Sequence, residues 1–199
     1  MQPDHTGLTD RADLADRIRM MSLHGISRDA WKRYTAEGTW YYEILEPGFK
    51  YNMADLAAAL GLPQLERCDF LRRTRCHYAS MYHAGLSGLT EVSLPESESL
   101  EDDAWHLYPI QLHLNRLRAT REEIIRELHG RRIGTSVHFI PLHLHPFYQK
   151  SYGYRRKDFP NASYVFERLI LLPIYSRMSE QDVHDVITAV YDVVNDYRI

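Results

Sequence analysis

The chain has 199 residues, of which 44% are hydrophobic and 26% are charged, and its formal net charge at pH 7 is −3. This composition is that of a soluble globular protein with one domain, or one domain and part of another. The acidic balance argues against a nucleic-acid partner bound by bulk charge. No apolar run approaches the roughly 20 residues that span a bilayer. The polar N-terminus differs from a signal or transit peptide, so we expect a cytoplasmic protein with reduced cysteines.

The first part of the chain contains one predicted helix and one long connection. Apolar residues at helical spacing predict a helix over residues 10–23, with Gly25 as its stop. Residues 27–51 show little periodicity, and connections of this length in compact domains are often functional.

Residues 53–86 predict the longest helix of the chain, over roughly 40 Å at about 1.5 Å per residue, which is long enough to link two domains. Gly61 and Pro63 interrupt its first turns. Because an internal proline removes a backbone hydrogen bond and crowds the preceding turn, we expect a kink or a helix in two parts. Residues 95–104 follow as an acidic surface linker.

From Trp105 the pattern changes to short strands and helices, which predict a small α+β domain. The expected strands cover residues 107–114, 135–139 and 169–172. The expected helices cover a segment that begins at the capping box of Thr120 and Glu123, the residues 164–169, and a C-terminal segment capped by Ser179 and Asp182.

Aromatic residues cluster in two stretches that do not have the pattern of a helix or strand. Loop aromatics often form ligand sites and subunit interfaces, although packing explains most of the 14 tyrosines equally well. The clustered residues are Trp40, Tyr41, Tyr42, Phe147, Tyr148, Tyr152 and Tyr154.

Three histidines, His138, His143 and His145, lie close together in the sequence and suggest a metal site, because histidine is the commonest metal ligand. The run has no cysteine and no helical HExxH motif, and Pro141 and Pro146 break its local geometry. Packing or polar ligand contacts are therefore favoured over a metal.

Lys50 is the most informative of the four lysines, which are Lys32, Lys50, Lys150 and Lys157. It lies in the loop GFKYN directly before the long predicted helix. Free backbone N–H groups at a helix start, beside a cation, form a natural phosphate site. A solvated loop lysine explains the same pattern equally well, and no nucleophile motif or Gly-rich phosphate loop is present.

The segment GFKYNMADLAAALGLPQLER, residues 48–67, resembles a characteristic segment of the DegT/StrS family of sugar aminotransferases. The resemblance continues in order and spacing through residues 8–34, 104–112, 131–148 and 168–187. It implies an α/β, fold-type-I enzyme of roughly twice this length, with pyridoxal 5'-phosphate as cofactor. It also implies transfer of an amino group from glutamate to a keto carbon of a nucleotide-linked deoxy sugar.

The resemblance implies three regions in this chain. Residues 1–52 would be a remnant of the large cofactor domain with a substrate and interface loop, residues 53–94 the linking helix, and residues 95–199 the small α+β domain. The family's Schiff-base lysine would precede Leu8, where this chain has no lysine. We therefore expect no catalytic residue here and no activity from the chain alone.

The missing lysine leaves three interpretations. We favour the C-terminal half of a longer aminotransferase. The alternatives are a subunit that completes the active site of another chain, and a non-catalytic module that binds a nucleotide sugar.

The resemblance also implies site residues, since active sites in this family are built across a dimer. The GFKYN loop resembles the loop that reaches the partner's cofactor phosphate, which assigns cofactor binding to Lys50 and Asn52. Most members have Asn and Arg at these two positions, so the polar pair is exchanged here. The residues implied near the substrate are Arg28, Trp31, Lys32, His138, His143 and Tyr148. We expect a homodimer without a metal, a nucleic-acid partner or a membrane partner.

Overall fold

The computed structural model describes residues 9–27, 42–96, 99–101 and 103–199, and the chain divides into two compact units, Met1–Arg67 and Cys68–Ile199. The division falls within the predicted long helix, which forms two helices, α2 (Asp55–Glu66) and α3 (Cys68–Leu86). The expected two-part helix is confirmed, but the break lies at Arg67 and Pro63 stays inside α2. Arg67 N donates to Gln64 O at 3.2 Å, so a tightened last turn ends α2.

In the first unit, helix α1 (Ala12–Ser22) confirms the prediction for residues 10–23. After it, His24 and Gly25 adopt positive φ angles of 58° and 69° and turn the chain. Residues 21–27 then pair antiparallel with residues 43–51, through bridges between Leu23 and Lys50 and between Ile26 and Ile44. The predicted loop before α2 is thus held as an extended segment.

Two glycines allow these paired segments to approach each other. A methyl group on Gly25 would overlap the backbone carbonyl of Glu46, and one on Gly48 would overlap the backbone of Gly25. Gly25 also needs its positive φ, which an L side chain rarely adopts. The extended conformation of residues 48–51 therefore depends on the absence of side chains at these two positions.

Helix α2 leaves its apolar side chains exposed and contains no buried residue. Leu56, Leu60 and Leu65 are 76%, 68% and 68% exposed. Within the described part of the first unit, Ala15 is the one buried hydrophobic residue. In proteins, contiguous exposed apolar surface is typical of association sites.

The second unit contains a three-stranded antiparallel sheet in the order β1 (Val92–Ser93), β2 (Tyr108–Leu112) and β3 (Leu169–Leu172). Strands β2 and β3 confirm the predictions for residues 107–114 and 169–172. Along β2, fully buried side chains alternate with half-buried ones, so one face of this strand lies in the core.

The strand predicted over residues 135–139 is wrong. In this stretch only Ser136 pairs, in a single bridge to Leu171, and residues 137–140 are exposed. Strand β1 is the third strand instead; it has two residues, too few to show an alternating pattern.

Helices α4 (Arg121–Gly130) and α7 (Glu180–Tyr197) begin at the predicted capping boxes. Thr120 Oγ1 accepts from Glu123 N at 3.3 Å, and Ser179 Oγ accepts from Asp182 N at 3.2 Å. The sequence did not predict α5 (Pro146–Tyr152), and it placed α6 (Pro160–Phe166) a few residues too late. Both short helices start with proline, whose fixed φ suits a first helical position.

The core of the second unit lies between the sheet and helices α3, α4 and α7. At its centre, the rings of Tyr82 and Tyr108 are fully buried and 4.9 Å apart. Burial raises the pKa of both phenols well above their ordinary value. Tyr82 donates its hydroxyl to Pro173 O at 2.7 Å, which links α3 to the chain that leaves β3.

A buried carboxylate ties the C-terminus to the sheet. Glu91 is 4% exposed, and Arg198 donates to its Oε2 at 2.8 Å. The Arg198 hydrogen bond lowers the pKa of Glu91 below its ordinary value of 4.5. A lowered carboxyl pKa stabilises the fold above that ordinary value, and the contribution is lost as the pH falls through the folded pKa.

We expect Arg198→Ala to lower the free energy of unfolding by about 1–3 kcal/mol at pH 7, because it leaves the Glu91 carboxylate unpaired. The difference from the parent should shrink at pH 4, because below the ordinary pKa of 4.5 the unfolded chain binds a proton at Glu91 that the paired carboxylate of the folded chain binds less readily. Urea denaturation at both pH values measures this. Arg118→Ala is the control, since Arg118 is exposed on the neighbouring segment. An equal loss at both pH values would contradict this role for Glu91.

Candidate functional site

Lys50 and Asn52 lie on one side of the extended segment before α2. Phe49 N donates to Met21 O at 2.7 Å, and Tyr51 N donates to Ser22 O at 2.8 Å. The rings of Phe49 and Tyr51 stack with centroids 5.0 Å apart. Since side chains alternate along an extended chain, Lys50 and Asn52 point away from these rings. Lys50 is exposed and has no ion-pair partner within the described residues.

The helix start beside this pair has free donors. Ala54 is the N-cap of α2 and provides no side-chain hydrogen bond, so the first N–H groups of the helix lack a side-chain acceptor. Asp55 in the first turn carries an opposing charge. An anion at this position would therefore depend on Lys50 and Asn52 more than on the helix dipole.

Asn52 has a buried Oδ1 atom without a hydrogen-bond partner among the described residues. Buried polar atoms are nearly always paired, so this amide is expected to have a partner other than the described residues. The oxygen and nitrogen of an amide exchange places by a flip about its last torsion, which would present an N–H donor at the same position. A cation, an amide and free helix N–H groups fit the phosphate of a cofactor.

The predicted substrate residues Arg28, Trp31 and Lys32 lie outside the described residues and stay predictions. His138 is exposed, two residues beyond the bridge at Ser136, with its ring 5.5 Å from that of Phe139. Its imidazole is available to a ligand.

His143 is placed differently from His138, because it is only 5% exposed. Its Nε2 lies 2.9 Å from Ser163 Oγ, and this hydroxyl donates to Arg156 O at 3.1 Å. The hydroxyl therefore accepts from His143 Nε2–H. The imidazole also stacks on Phe159, with centroids 4.7 Å apart. These contacts favour the packing role that the sequence left open for this residue.

Replacing His143 with Ala is expected to lower the free energy of unfolding by about 1–3 kcal/mol, since Ser163 loses its buried donor. Urea denaturation measures the change, with Ser163→Ala as the matched variant that removes the same hydrogen bond from its other end. If His143 instead contacted substrate directly, its replacement would raise KM in the assembled enzyme and leave stability unchanged.

Tyr148 lies half-buried on α5 and belongs to a larger group of rings. Its ring is perpendicular to that of Phe147 at 5.3 Å and nearly parallel to that of Tyr152 at 6.1 Å. Tyr152 is in turn nearly parallel to Tyr154 at 5.4 Å. The aromatic residues that the sequence groups between Phe147 and Tyr154 therefore contact one another in turn. Helix α5, which carries Phe147, Tyr148 and Tyr152, was not predicted.

No cluster of three or more His, Cys, Asp or Glu side chains in the described residues is arranged to hold a metal ion. Among the helices that the structure describes, none combines the length and the apolarity needed to cross a membrane.

Two curated proteins match most of this chain. The protein MJ1066 of Methanocaldococcus jannaschii is 49% identical over 190 residues, which cover 96% of this chain and 49% of that protein. The spore coat polysaccharide biosynthesis protein SpsC of Bacillus subtilis is 48% identical over 187 residues, which cover 94% of this chain and 48% of SpsC. The chain spans about half the length of these relatives.

Solved structures of a sugar aminotransferase share the fold. The PMP form of Spr1654 from Streptococcus pneumoniae matches with a TM-score of 0.77 and 31% identity, over 94% of this chain and 46% of that one. Its PLP form matches with a TM-score of 0.76 and 30% identity, over 94% and 45%. The fold is therefore part of a fold-type-I aminotransferase. A model of the DegT/DnrJ/EryC1/StrS aminotransferase family matches residues 7–191, and the chain belongs to that family.

Proposed function

We propose that this chain takes part in the transfer of an amino group from glutamate to a keto group of a nucleotide-linked deoxy sugar, in the cytoplasm, for a cell-surface polysaccharide. The family match over residues 7–191 carries the proposal. The similarity to SpsC, a spore coat polysaccharide biosynthesis protein, supports the proposed role in polysaccharide biosynthesis. Family membership and the PLP and PMP forms of Spr1654 support pyridoxal phosphate as the cofactor.

The cofactor supplies, when bound, the electron sink that this chemistry requires. The residues of this chain would bind the cofactor phosphate and orient the substrate. The Lys50 ammonium and an N–H of the Asn52 amide would hold the cofactor phosphate by charge-assisted hydrogen bonds, with the ammonium adding a full positive charge. His138 and Tyr148 offer an exposed imidazole and a phenol for the substrate, and the loop with Arg28, Trp31 and Lys32 belongs to the same proposal.

The proposed assembly is a homodimer of the longer aminotransferase of which this chain is the C-terminal half, with each active site built across the dimer. The exposed leucines of α2 provide apolar surface for association. None of the four lysines of this chain is proposed as the covalently attached one. His143 is proposed only to support the surrounding loop.

We expect no covalent attachment of pyridoxal phosphate to a single lysine of the 199-residue chain, and no conversion of glutamate to 2-oxoglutarate by it. The experiment is borohydride reduction after incubation with the cofactor, followed by peptide mass mapping. Addition of the polypeptide that supplies the lysine should restore glutamate turnover in the presence of a nucleotide-linked keto sugar.

One stoichiometrically labelled lysine in the chain alone, together with turnover, would overturn the assignment of the lysine to another segment. Binding of the sugar nucleotide without turnover in the assembled protein would support the alternative of a non-catalytic module that binds a nucleotide sugar.

A further inference from the structure

The second unit exposes a series of tyrosine rings, Tyr148, Tyr152 and Tyr154, which we call the tyrosine series. Successive rings are inclined by 22° and 16°, with centroids 6.1 and 5.4 Å apart. Stacked rings at these spacings are offset from one another, so each ring can keep part of its surface accessible. Tyr152 is 61% exposed and Tyr154 37%. Flat, partly open aromatic faces can accept the face of another ring.

The loop that follows Tyr152 is held in place by specific contacts. Gly153 ends α5 with a φ of 69°. Arg155 N donates to Asp158 Oδ2 at 2.9 Å, and Asp158 N donates to Arg155 O at 3.0 Å. Phe159 meets Tyr154 edge-on at 5.1 Å.

Buried groups support this loop from beneath. The imidazole of His143 stacks on Phe159, and Ser163 donates to Arg156 O. The tyrosine faces are therefore oriented before any ligand arrives, which reduces the entropy lost on binding.

The same segment is basic, although the whole chain has a net charge of −3. Between residues 143 and 166, Asp158 is the only carboxylate beside four cations. Arg156 pairs with Glu167. The other three cations are exposed and have no ion-pair partner within the described residues. They are Lys150, Arg155 and Lys157.

We propose that this surface binds the nucleoside diphosphate part of the substrate, with the base stacked on Tyr152 and the phosphates paired with Arg155 and Lys157. The substrate class rests on the proposed function. The aromatic faces call for a planar ring and the cations for an anion, and a nucleotide joins both. The acidic balance of the chain disfavours a long polyanion as occupant.

The test is isothermal titration of the 199-residue chain with UDP and with ADP, in the absence of pyridoxal phosphate. Tyr152→Ala should weaken binding about ten- to hundredfold, because one stacking contact is lost. Tyr152→Phe should retain binding, since the ring is kept. The double variant Arg155→Ala, Lys157→Ala should weaken binding about tenfold and reduce its dependence on salt.

Two control variants match these changes at other places in the second unit. Tyr175→Ala removes a tyrosine that is 55% exposed, and Arg73→Ala removes an exposed cation on α3. Both should bind like the parent. Absence of binding for both UDP and ADP, or equal affinity for the parent and Tyr152→Ala, would overturn the proposal. Inorganic pyrophosphate binding as tightly as UDP would overturn it also, since the rings would then contribute nothing.

Failure of this proposal is distinguishable from failure of the proposed function. The titrations contain no cofactor and do not involve Lys50. The assembled protein could bind nucleotide in a manner that depends on Tyr152 and yet have no transaminase activity. That result would support the nucleotide-binding surface and refute the proposed transaminase function.

Discussion

Replacing Lys50 with Ala should raise the dissociation constant for pyridoxal phosphate about ten- to hundredfold in the assembled enzyme. The substitution removes one charge-assisted contact to the phosphate, worth about 1.5–3 kcal/mol. Fluorescence titration of the apo-enzyme measures the constant. Asn52→Ala should have a smaller effect, because an uncharged amide contributes less than an ammonium group.

The control is Lys157→Ala, which removes a lysine of the second unit that the cofactor proposal does not use. It should leave cofactor affinity unchanged. If Lys50→Ala and Lys157→Ala bound the cofactor equally well, Lys50 would not be part of the phosphate site, whatever the family.

A second large effect is expected in the core. Tyr82→Ala should lower the free energy of unfolding by about 3–5 kcal/mol, because it leaves a cavity against Tyr108 and removes the hydrogen bond to Pro173 O. Tyr82→Phe should lower it by about 1 kcal/mol, the net value of that hydrogen bond. Urea denaturation followed by circular dichroism measures both.

Tyr152→Ala is the matched change at an exposed tyrosine and should alter stability by less than about 0.5 kcal/mol. A loss for Tyr82→Ala no larger than for Tyr152→Ala would show that Tyr82 is not at the centre of the core.

The helix starts that were predicted correctly are those set by local contacts. The capping boxes at Thr120 and Ser179 locate two helix starts because their hydrogen bonds join residues three apart. The strand expected over residues 135–139 failed because strand pairing needs a distant partner, and only Ser136 finds one in Leu171. Strand β1 is too short to be recognised by alternation.

The sequence indicated some features of the candidate site and not others. The motif around Lys50 and Asn52 predicts a phosphate loop, which stays a prediction, and the Asn52 Oδ1 atom without a partner among the described residues adds a structural reason for a ligand. The burial of His143 could not be predicted, because it depends on Phe159 and Ser163, which are 16 and 20 residues farther along the chain. Contacts of this kind leave no periodic signal. Arg28, Trp31 and Lys32 stay predictions.

The close approach of the backbones at Gly25 and Gly48 limits how this segment can vary in evolution. A side chain at either position would overlap main-chain atoms, which cannot be shortened by a second substitution elsewhere. In a library that randomises both positions, selection for function should return glycine at each one independently, without compensating pairs. Lys50, by contrast, can change in charge and length without disturbing the backbone that presents it. Side-chain chemistry at residue 50 can therefore diverge while the path of this segment stays the same.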